Sequence, residues 1–580
     1  MDRQSRTLKI FAVLFVLLLL AILFFASIGF RIVNNQKNLS LSVKKVDIPL
    51  RGAILSQDGF SLAQSYLLYK VSMDTNSLNP NKRDFFINLF SIYSGIDQAK
   101  IASKIKKTGY IILTYNINEA TARSLRSLNS KFLANDVFIE FTKNGKTHQK
   151  IGLIIEISGI NRLYPYKDAI EPILGYTQKF ENKKLTTPHG IKGIEKYYDL
   201  ALSPKNDGIS LGFRDVGFNI IYDKKTLTKE KIDGSNIILN INLIMQKRIE
   251  KVLDSYKAKY QNDEIIAGIM NPKTGAIIAL ASSNRFNPKN IIDPNMLNSS
   301  AIERAFEPGS TIKPMIFSLL LDKGLINPLS PINLEHGKIK IGSNIFRDDT
   351  PPPKNAITQD VIIRSSNVGM IKLSRKLSGL EMHEGLASFG FGAPSEIDLP
   401  YEKRGIIPSA QKLTSEIYKA SASFGYGLST TFVQILRAYG AFANDGRITT
   451  PHIANKIITS QKTLIPKVNE IQVISPESSR KMREILIKAV ESGTGKRAQT
   501  EGFIIGGKTG TARKITVGSG YSDNSYNGSF FGFASKNSKE FVIGVVSFGN
   551  KDKDDYYGSR SAAPIFKEIV KILDDERFYQ

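Results

Sequence analysis

The stretch Phe306-Glu307-Pro308-Gly309-Ser310-Thr311-Ile312-Lys313-Pro314 decides how this chain is read. Pro308 and Gly309 punctuate it, and the apolar run 315–321 that follows has the length and composition of a buried helix, so Ser310 falls at a helix start. Positions i and i+3 share a helical face, which places the Lys313 amine beside the Ser310 hydroxyl. In that geometry a base can take a proton from a nucleophile. Alone, Ser-x-x-Lys is weak evidence, because serine is a common helix cap and lysine is abundant here.

Two downstream stretches strengthen it. Ser365-Ser366-Asn367 follows the apolar run 361–363 and offers a hydroxyl and an amide to one cleft from a tight turn. Lys508-Thr509-Gly510-Thr511 lies on an expected strand, where a cation, two hydroxyls and a glycine let a substrate backbone lie along the edge. Each has a bland reading as a polar turn or strand end. In this order, Ser-x-x-Lys, Ser-x-Asn and Lys-Thr-Gly form the signature of serine enzymes that acylate on β-lactams and on D-alanyl-D-alanine peptides. Gly502 to Thr509 also satisfies G-x-x-x-x-G-K-[ST], but a phosphate-binding loop requires a helix directly after the lysine. Here Gly510-Thr511-Ala512 continues an extended segment toward Gly518 and Gly520.

Around these motifs the patterning is regular. Met245, Ile249, Val252, Tyr256 and Tyr260 recur at helical spacing over 243–260. Runs 265–270 and 276–281 flank Asn271-Pro272-Lys273-Thr274-Gly275 as a hairpin, 503–514, 529–534 and 541–548 read as strands, and 563–573 reads as a closing helix. This order predicts an antiparallel sheet covered by helices. Upstream, 31–235 is polar and broken by short apolar runs: Arg51 to Leu55, a turn at Gln57-Asp58-Gly59 and 61–71 read as a hairpin. Arg162-Leu163-Tyr164-Pro165 and Gly190 to Tyr198 read as loops and helix starts of a spacer or interaction module, and Gly234 with 237–241 marks the expected boundary.

Residues 10–30 carry no charge and reach roughly 31 Å as a helix, enough to cross a bilayer. The run exceeds the apolar region of a cleaved signal, and no small-x-small site follows. Arg3, Arg6 and Lys9 precede it, which puts the N-terminus in the cytoplasm and everything after Arg31 outside, away from ATP and NAD. The 580 residues carry 79 Lys and Arg against 53 Asp and Glu, a net charge of +26. Scattered basic residues speak against a nucleic-acid interface; codon bias and attraction to an anionic membrane or polymer are equally good explanations. Absent cysteine excludes disulfides and thiolate chemistry, and His148, His189, His336, His383 and His452 have no ligand-like spacing, so no metal is expected.

With these residues in place the chain resembles class B penicillin-binding proteins of the division type, from the span to the C-terminus. The resemblance is carried by Arg51-Gly52, Asp58-Gly59, Leu62-Ala63, Gly190 and Gly193-Ile194-Glu195 upstream. Downstream it rests on Asn271-Pro272, Thr274-Gly275, the 306–314 stretch, Gly425-Tyr426-Gly427, Thr431, Gln434, 506–511, Tyr557-Gly558 and Ala562-Ala563-Pro564. Ser365-Ser366-Asn367-Val368-Gly369 and 526–533 are closer to the division enzymes than to the elongation enzymes, which commonly carry Asp in place of that Asn. Leu55-Ser56-Gln57 departs from the family, where an Asp-Arg pair is usual.

The resemblance implies an α+β fold: a cytoplasmic tail (1–9), a transmembrane helix (10–30), an elongated, mostly β pedestal of the dimerisation type (31–235), and a transpeptidase domain with an antiparallel sheet covered by helices (236–580). It implies a peptidoglycan D,D-transpeptidase, anchored in the inner membrane at the septum, the target of β-lactams at Ser310. Ser310 would attack the penultimate D-Ala of a stem pentapeptide, with Lys313 as base, Ser365 relaying a proton and Asn367 holding a substrate amide and Lys313. Lys508 and Thr509 would bind the terminal carboxylate with Thr511 helping, Gly510 completes the motif, and the N–H groups of Ser310 and Thr511 would form the oxyanion hole. The acceptor would be an amine of a neighbouring stem peptide. A polytopic glycan polymerase and other division proteins would be partners, with no cofactor and no nucleic acid. An elongation transpeptidase, a D,D-carboxypeptidase and a non-catalytic division scaffold are the alternatives; a β-lactamase fits poorly with the span and the pedestal.

Overall fold

Five antiparallel strands form the sheet that carries the Lys508 motif, in the order Ile277–Ser282, Glu264–Met270, Lys539–Asn550, Gly520–Lys536, Ile504–Thr516. The computed structural model describes residues 3–34, 42–143, 145–182, 185–215, 220–516, 520–551 and 555–580; Gly518 and the side chains of Arg3 and Arg6 lie outside them. Side chains alternate between two cores. Ile265, Ala267, Ile269, Phe530, Ile543 and Val545 enter one; Ile266, Met270, Phe531, Phe533, Val542 and Val546 enter the other. Burial on both faces is why these strands read as nearly continuous apolar runs instead of alternating ones.

Helices Leu243–Tyr260 and Ala563–Asp575 pack in the first core through Met245, Ile249, Leu253, Ile565, Phe566 and Ile569. Helix Phe432–Tyr439 covers the second face, its Phe432 and Tyr439 rings 5.3 and 5.8 Å from Phe531. Helix Lys313–Asp322 lies in the same core through Ile316, Phe317 and Leu320. The expected hairpin 265–281 and helix 243–260 are both present. Strand Ile504–Thr516 runs on past Lys508 with no helix after it, so the phosphate-loop pattern has no phosphate-loop structure.

A second, nine-stranded sheet crosses position 235. Strand Asn236–Leu239 pairs with Ala454–Ile458 on one side and, in parallel, with Ile54–Leu55 on the other. The hairpin of Ile54–Leu55 and Ser61–Asp74 is present, and its turn brings Asp58 to the start of helix Leu243–Tyr260. There the carboxylate accepts from the N–H groups of Leu243 at 3.0 Å and Ile244 at 3.2 Å, satisfying donors that a helix start leaves open. Residues 31–235 also contain helices Arg83–Ser94, Gln98–Ile105 and Glu119–Ala134, which pack Phe86, Phe90, Leu125 and Phe132 against the sheet residues Val71, Met73 and Leu113. These helices add to the strands expected there. Their apolar residues, such as Ala122, Leu125, Leu128 and Phe132, do recur at helical spacing, but among many lysines and asparagines.

Three motifs far apart in sequence meet in this part of the chain. Glu195 takes two bonds from Arg51, at 3.0 and 2.8 Å, and one from Arg162 at 2.7 Å. Arg51 also reaches Asp199 at 2.6 Å, and Arg162 donates to the Gly52 carbonyl at 2.7 Å. The Glu195 side chain and that of Arg51 are fully buried.

Residues 1–49 and 205–232 make a separate unit. It contains helix Arg3–Asn34, whose Leu8–Phe30 portion is long and apolar enough to cross a membrane. It also holds a three-stranded antiparallel sheet of Ser42–Asp47, Gly208–Phe213 and Leu227–Lys229.

Removing one partner of a buried ion network leaves the others desolvated and unpaired, at a cost of about 3–5 kcal/mol. Glu195→Ala should therefore lower stability by that order in urea denaturation of the region. Lys70→Ala, which removes a partly exposed partner of Glu156, should cost under about 1 kcal/mol. Equal effects of the two substitutions would contradict the weight given to burial.

Candidate active site

Ser310 sits in a single tight turn, Gly309–Ile312, and the α-helix begins only at Lys313. The helix was expected to start at Ser310. Pro314, which has no N–H to give, occupies the first helical turn, where that loss costs nothing. The Lys313 N–H donates to the Ser310 carbonyl three residues back. In such a turn residues i and i+3 eclipse, so Lys313 still stacks on the Ser310 side.

The turn is clamped on both flanks. Phe306 exchanges two backbone hydrogen bonds of 2.9 Å with Thr430, and Glu307 accepts from the Gly427 N–H at 2.8 Å. The buried Tyr439 hydroxyl donates to the Thr311 carbonyl at 2.9 Å. On the other flank lies the strand of the third motif. Gly309 has φ +55°, and a Cβ there would stand 3.0 Å from the Thr511 carbonyl oxygen. A Cβ on Gly510 would come 2.5 Å from Ser529 Oγ and 2.8 Å from Thr311 Cγ2. Glycine at both positions lets the Ser310 turn and the Thr511 backbone close on one another.

Lys313 has no exposed surface. Its Nζ donates to the Ser365 carbonyl and to Asn367 Oδ1, each at 2.7 Å, with Ser365 Oγ at 3.3 Å. Burial pulls its pKa down to about 7, against the opposing pull of Asp348 and Asp349. A neutral amine gives its two N–H bonds to the two carbonyl oxygens and keeps a lone pair, as a base requires. Ser365 holds φ +62° between helices Asp360–Ile363 and Asn367–Ser374, a conformation that costs a β-carbon-bearing residue on the order of 1–3 kcal/mol. Asp348 secures this corner by accepting from Ser366 Oγ at 2.7 Å and the Val368 N–H at 2.9 Å. Asn367 donates to the Arg347 carbonyl at 3.0 Å.

Lys508 is likewise without exposed surface, and its Nζ donates to the Thr509 carbonyl at 3.0 Å. Burial and then the nearby Lys313 push its pKa well below the usual lysine range. Thr509 Oγ1 and Thr494 Oγ1 share a hydrogen bond of 2.8 Å, and Thr511 Oγ1 accepts from the Gly558 N–H at 3.1 Å. Ser310, Ser365, Thr509 and Thr511 line one cleft of about 340 Å³, together with Thr494, Asp349 and Tyr557. Lys313, Asn367, Lys508 and Gly510 are not on its wall. Lys508 reaches that wall through Thr509, whose carbonyl accepts from its Nζ at 3.0 Å and whose Oγ1 lies 3.4 Å away.

The three motifs read from the sequence therefore converge. Asp348, Asp349 and Thr494 were not singled out. Thr494 lies in Ser492-Gly493-Thr494-Gly495 after helix Pro476–Glu491, which reads as a helix end, and Asp348 reaches a helix about twenty residues away, beyond any local pattern.

The penicillin-binding protein transpeptidase domain model matches residues 265–571, and the penicillin-binding protein dimerisation domain model matches residues 46–239. Peptidoglycan D,D-transpeptidase FtsI of Buchnera aphidicola subsp. Schizaphis graminum is 29% identical over 96% of this chain and 93% of its own length. Stage V sporulation protein D of Bacillus subtilis is 30% identical over 71% of this chain and 63% of its own length. The crystal structure of penicillin-binding protein 2X from Streptococcus thermophilus superposes with a TM-score of 0.76 at 20% identity, covering 93% of this chain and 81% of that one.

With Lys313 near pKa 7, the amine is mostly neutral above neutral pH and protonated below it. Titration of the protein labelled with ¹³C-lysine, followed by NMR at the Cε shifts, should show a lysine near 7 that is absent in Lys313→Ala. In Asp348→Asn, which keeps an acceptor for Val368, the midpoint should move lower because a charge that favours the ammonium is gone. A Lys313 midpoint near 10 would contradict the assignment.

Proposed function

The chain belongs to the penicillin-binding protein family, and we propose that it is a peptidoglycan D,D-transpeptidase that works through an acyl-enzyme on Ser310. The observation that carries this reading is the buried Lys313 amine held at 2.7 Å by both the Ser365 carbonyl and Asn367 Oδ1. It joins the first two motifs around a base with a depressed pKa.

In this reading neutral Lys313 takes the Ser310 proton as Oγ attacks the carbonyl of the penultimate D-Ala. The backbone N–H groups of Ser310 and Thr511 receive the developing oxyanion, a contribution of about 10²–10³ in rate per donor. The C–N bond breaks, and the terminal D-Ala leaves as an amine with a proton relayed through Ser365. Asn367 holds Lys313 and a substrate amide. Thr509, Thr511 and Thr494 present hydroxyls to the terminal carboxylate, with Lys508 supporting them from below. An amine of a second stem peptide then attacks the ester, the C–O bond breaks, and Ser310 recovers its proton. β-Lactams would acylate the same oxygen.

The division role is supported by Asn367 in the second motif and by the resemblance over 526–533. The apolar Leu8–Phe30 segment, preceded by Arg3 and Arg6, supports a single-pass anchor with a cytoplasmic N-terminus. The catalytic domain would then lie outside the cytoplasm at the septum, docked on a polytopic glycan polymerase and other division proteins.

Fluorescent penicillin should label the purified ectodomain once, at Ser310, and Ser310→Ala should abolish labelling; a labelled alanine variant or an unlabelled wild type overturns the reading. Lys313→Ala should fold and lose acylation by orders of magnitude. The tagged protein should concentrate at midcell, and a purely lateral distribution would remove the division role.

A further inference from the structure

The cleft beside Ser310 carries one carboxylate on a wall of hydroxyls and cations. Asp349 is that carboxylate, with Arg364 and Arg560 on the same lining. Its neighbour Asp348 has both oxygens engaged, with Ser366 and Val368. Asp349 is exposed and, among the described residues, makes no hydrogen bond or ion pair. Its charge nevertheless acts on Lys313, Lys508, Tyr426 and Tyr556, favouring the protonated form of each. A carboxylate so placed faces the reacting region with no ion pair among the described residues, neither to Arg364 nor to Arg560 on the same lining, and Lys313 and Lys508 are both buried and held by other acceptors.

The missing counter-ion follows from the reaction, so this inference rests on the transpeptidase reading above. Cross-linking needs a primary amine on the acceptor stem peptide, and an aliphatic amine is an ammonium at neutral pH. An uncross-linked donor stem carries the same diamino residue. We propose that Asp349 is the subsite for the side-chain ammonium of a stem peptide's diamino residue. It selects amine-bearing stems and holds that group at the mouth of the cleft, without taking part in the acylation step. A partly exposed pair of this kind is worth a few-fold in binding and is screened by salt.

The test compares wild type with Asp349→Asn and Asp349→Glu, using a synthetic pentapeptide with a free side-chain amine and the same peptide N-acetylated on that amine. Fluorescent penicillin acylation, read at pH 8.5 where Lys313 is neutral with or without the Asp349 charge, should stay within about twofold of wild type in both variants, which separates this test from the transpeptidase reading itself. If the group belongs to the donor, Asp349→Asn should lower kcat/KM for acylation by the free-amine peptide about three- to tenfold. If it belongs to the acceptor, the same loss should appear in the ratio of aminolysis to hydrolysis of the acyl-enzyme. In the donor case the loss should vanish with the acetylated peptide, which has no amine to serve as an acceptor, and in either case it should shrink in 0.5 M salt and be largely restored in Asp349→Glu. Asp349→Asn that matches wild type in both arms, a loss that persists with the acetylated peptide, or a loss of penicillin acylation overturns the proposal.

Discussion

A lysine ammonium with no exposed surface sets the terms for the rest of the cleft. Taking a charge out of water disfavours it strongly, and Lys313 meets that cost by shifting toward the neutral amine and by giving its hydrogens to two carbonyl oxygens 2.7 Å away. Those oxygens belong to Ser365 and Asn367, so the second motif must stand where the lysine needs it. Ser365 accepts a left-handed backbone to do so, and Asp348 fastens the corner from a separate loop. The strain at one residue and the anchoring at another are both consequences of burying one amine.

Lys508 extends the same constraint. Lys313 stands close enough to push the Lys508 pKa down, and the two buried lysines would repel if both were charged. Two nearby carboxylates, Asp348 and Asp349, oppose the depression at Lys313, and Asp349 also opposes it at Lys508. Asp348 is spent on structure and Asp349 is not. The positions of the lysines depend in turn on the five-stranded sheet, buried on both faces, and on Gly309 and Gly510, where no side chain fits between the Ser310 turn and the strand.

The scaffold upstream was less legible than the site. Arg51 reads as part of a hairpin, and Arg162 and Glu195 as loop or helix-start residues, yet the three form one buried network. Nothing local announces that one glutamate, 144 residues after Arg51 and 33 after Arg162, will neutralise both arginines. The helices Arg83–Ser94, Gln98–Ile105 and Glu119–Ala134 went unread because their apolar stripes are narrow against a polar background. The long two-faced strands and the helix Leu243–Tyr260 were legible because their periodicity extends over many residues.

The order and identity of the three motifs, the apolar N-terminal segment and the covered antiparallel sheet were determined by the sequence itself, since each is a pattern among residues near in the chain. The tertiary structure alone decided which groups stand on the cleft wall and which beneath it, where Asp348 and Thr494 enter, and that Asp349 has no hydrogen-bond or ion-pair partner among the described residues. Those outcomes depend on desolvation and on contacts between distant segments. A local pattern carries neither.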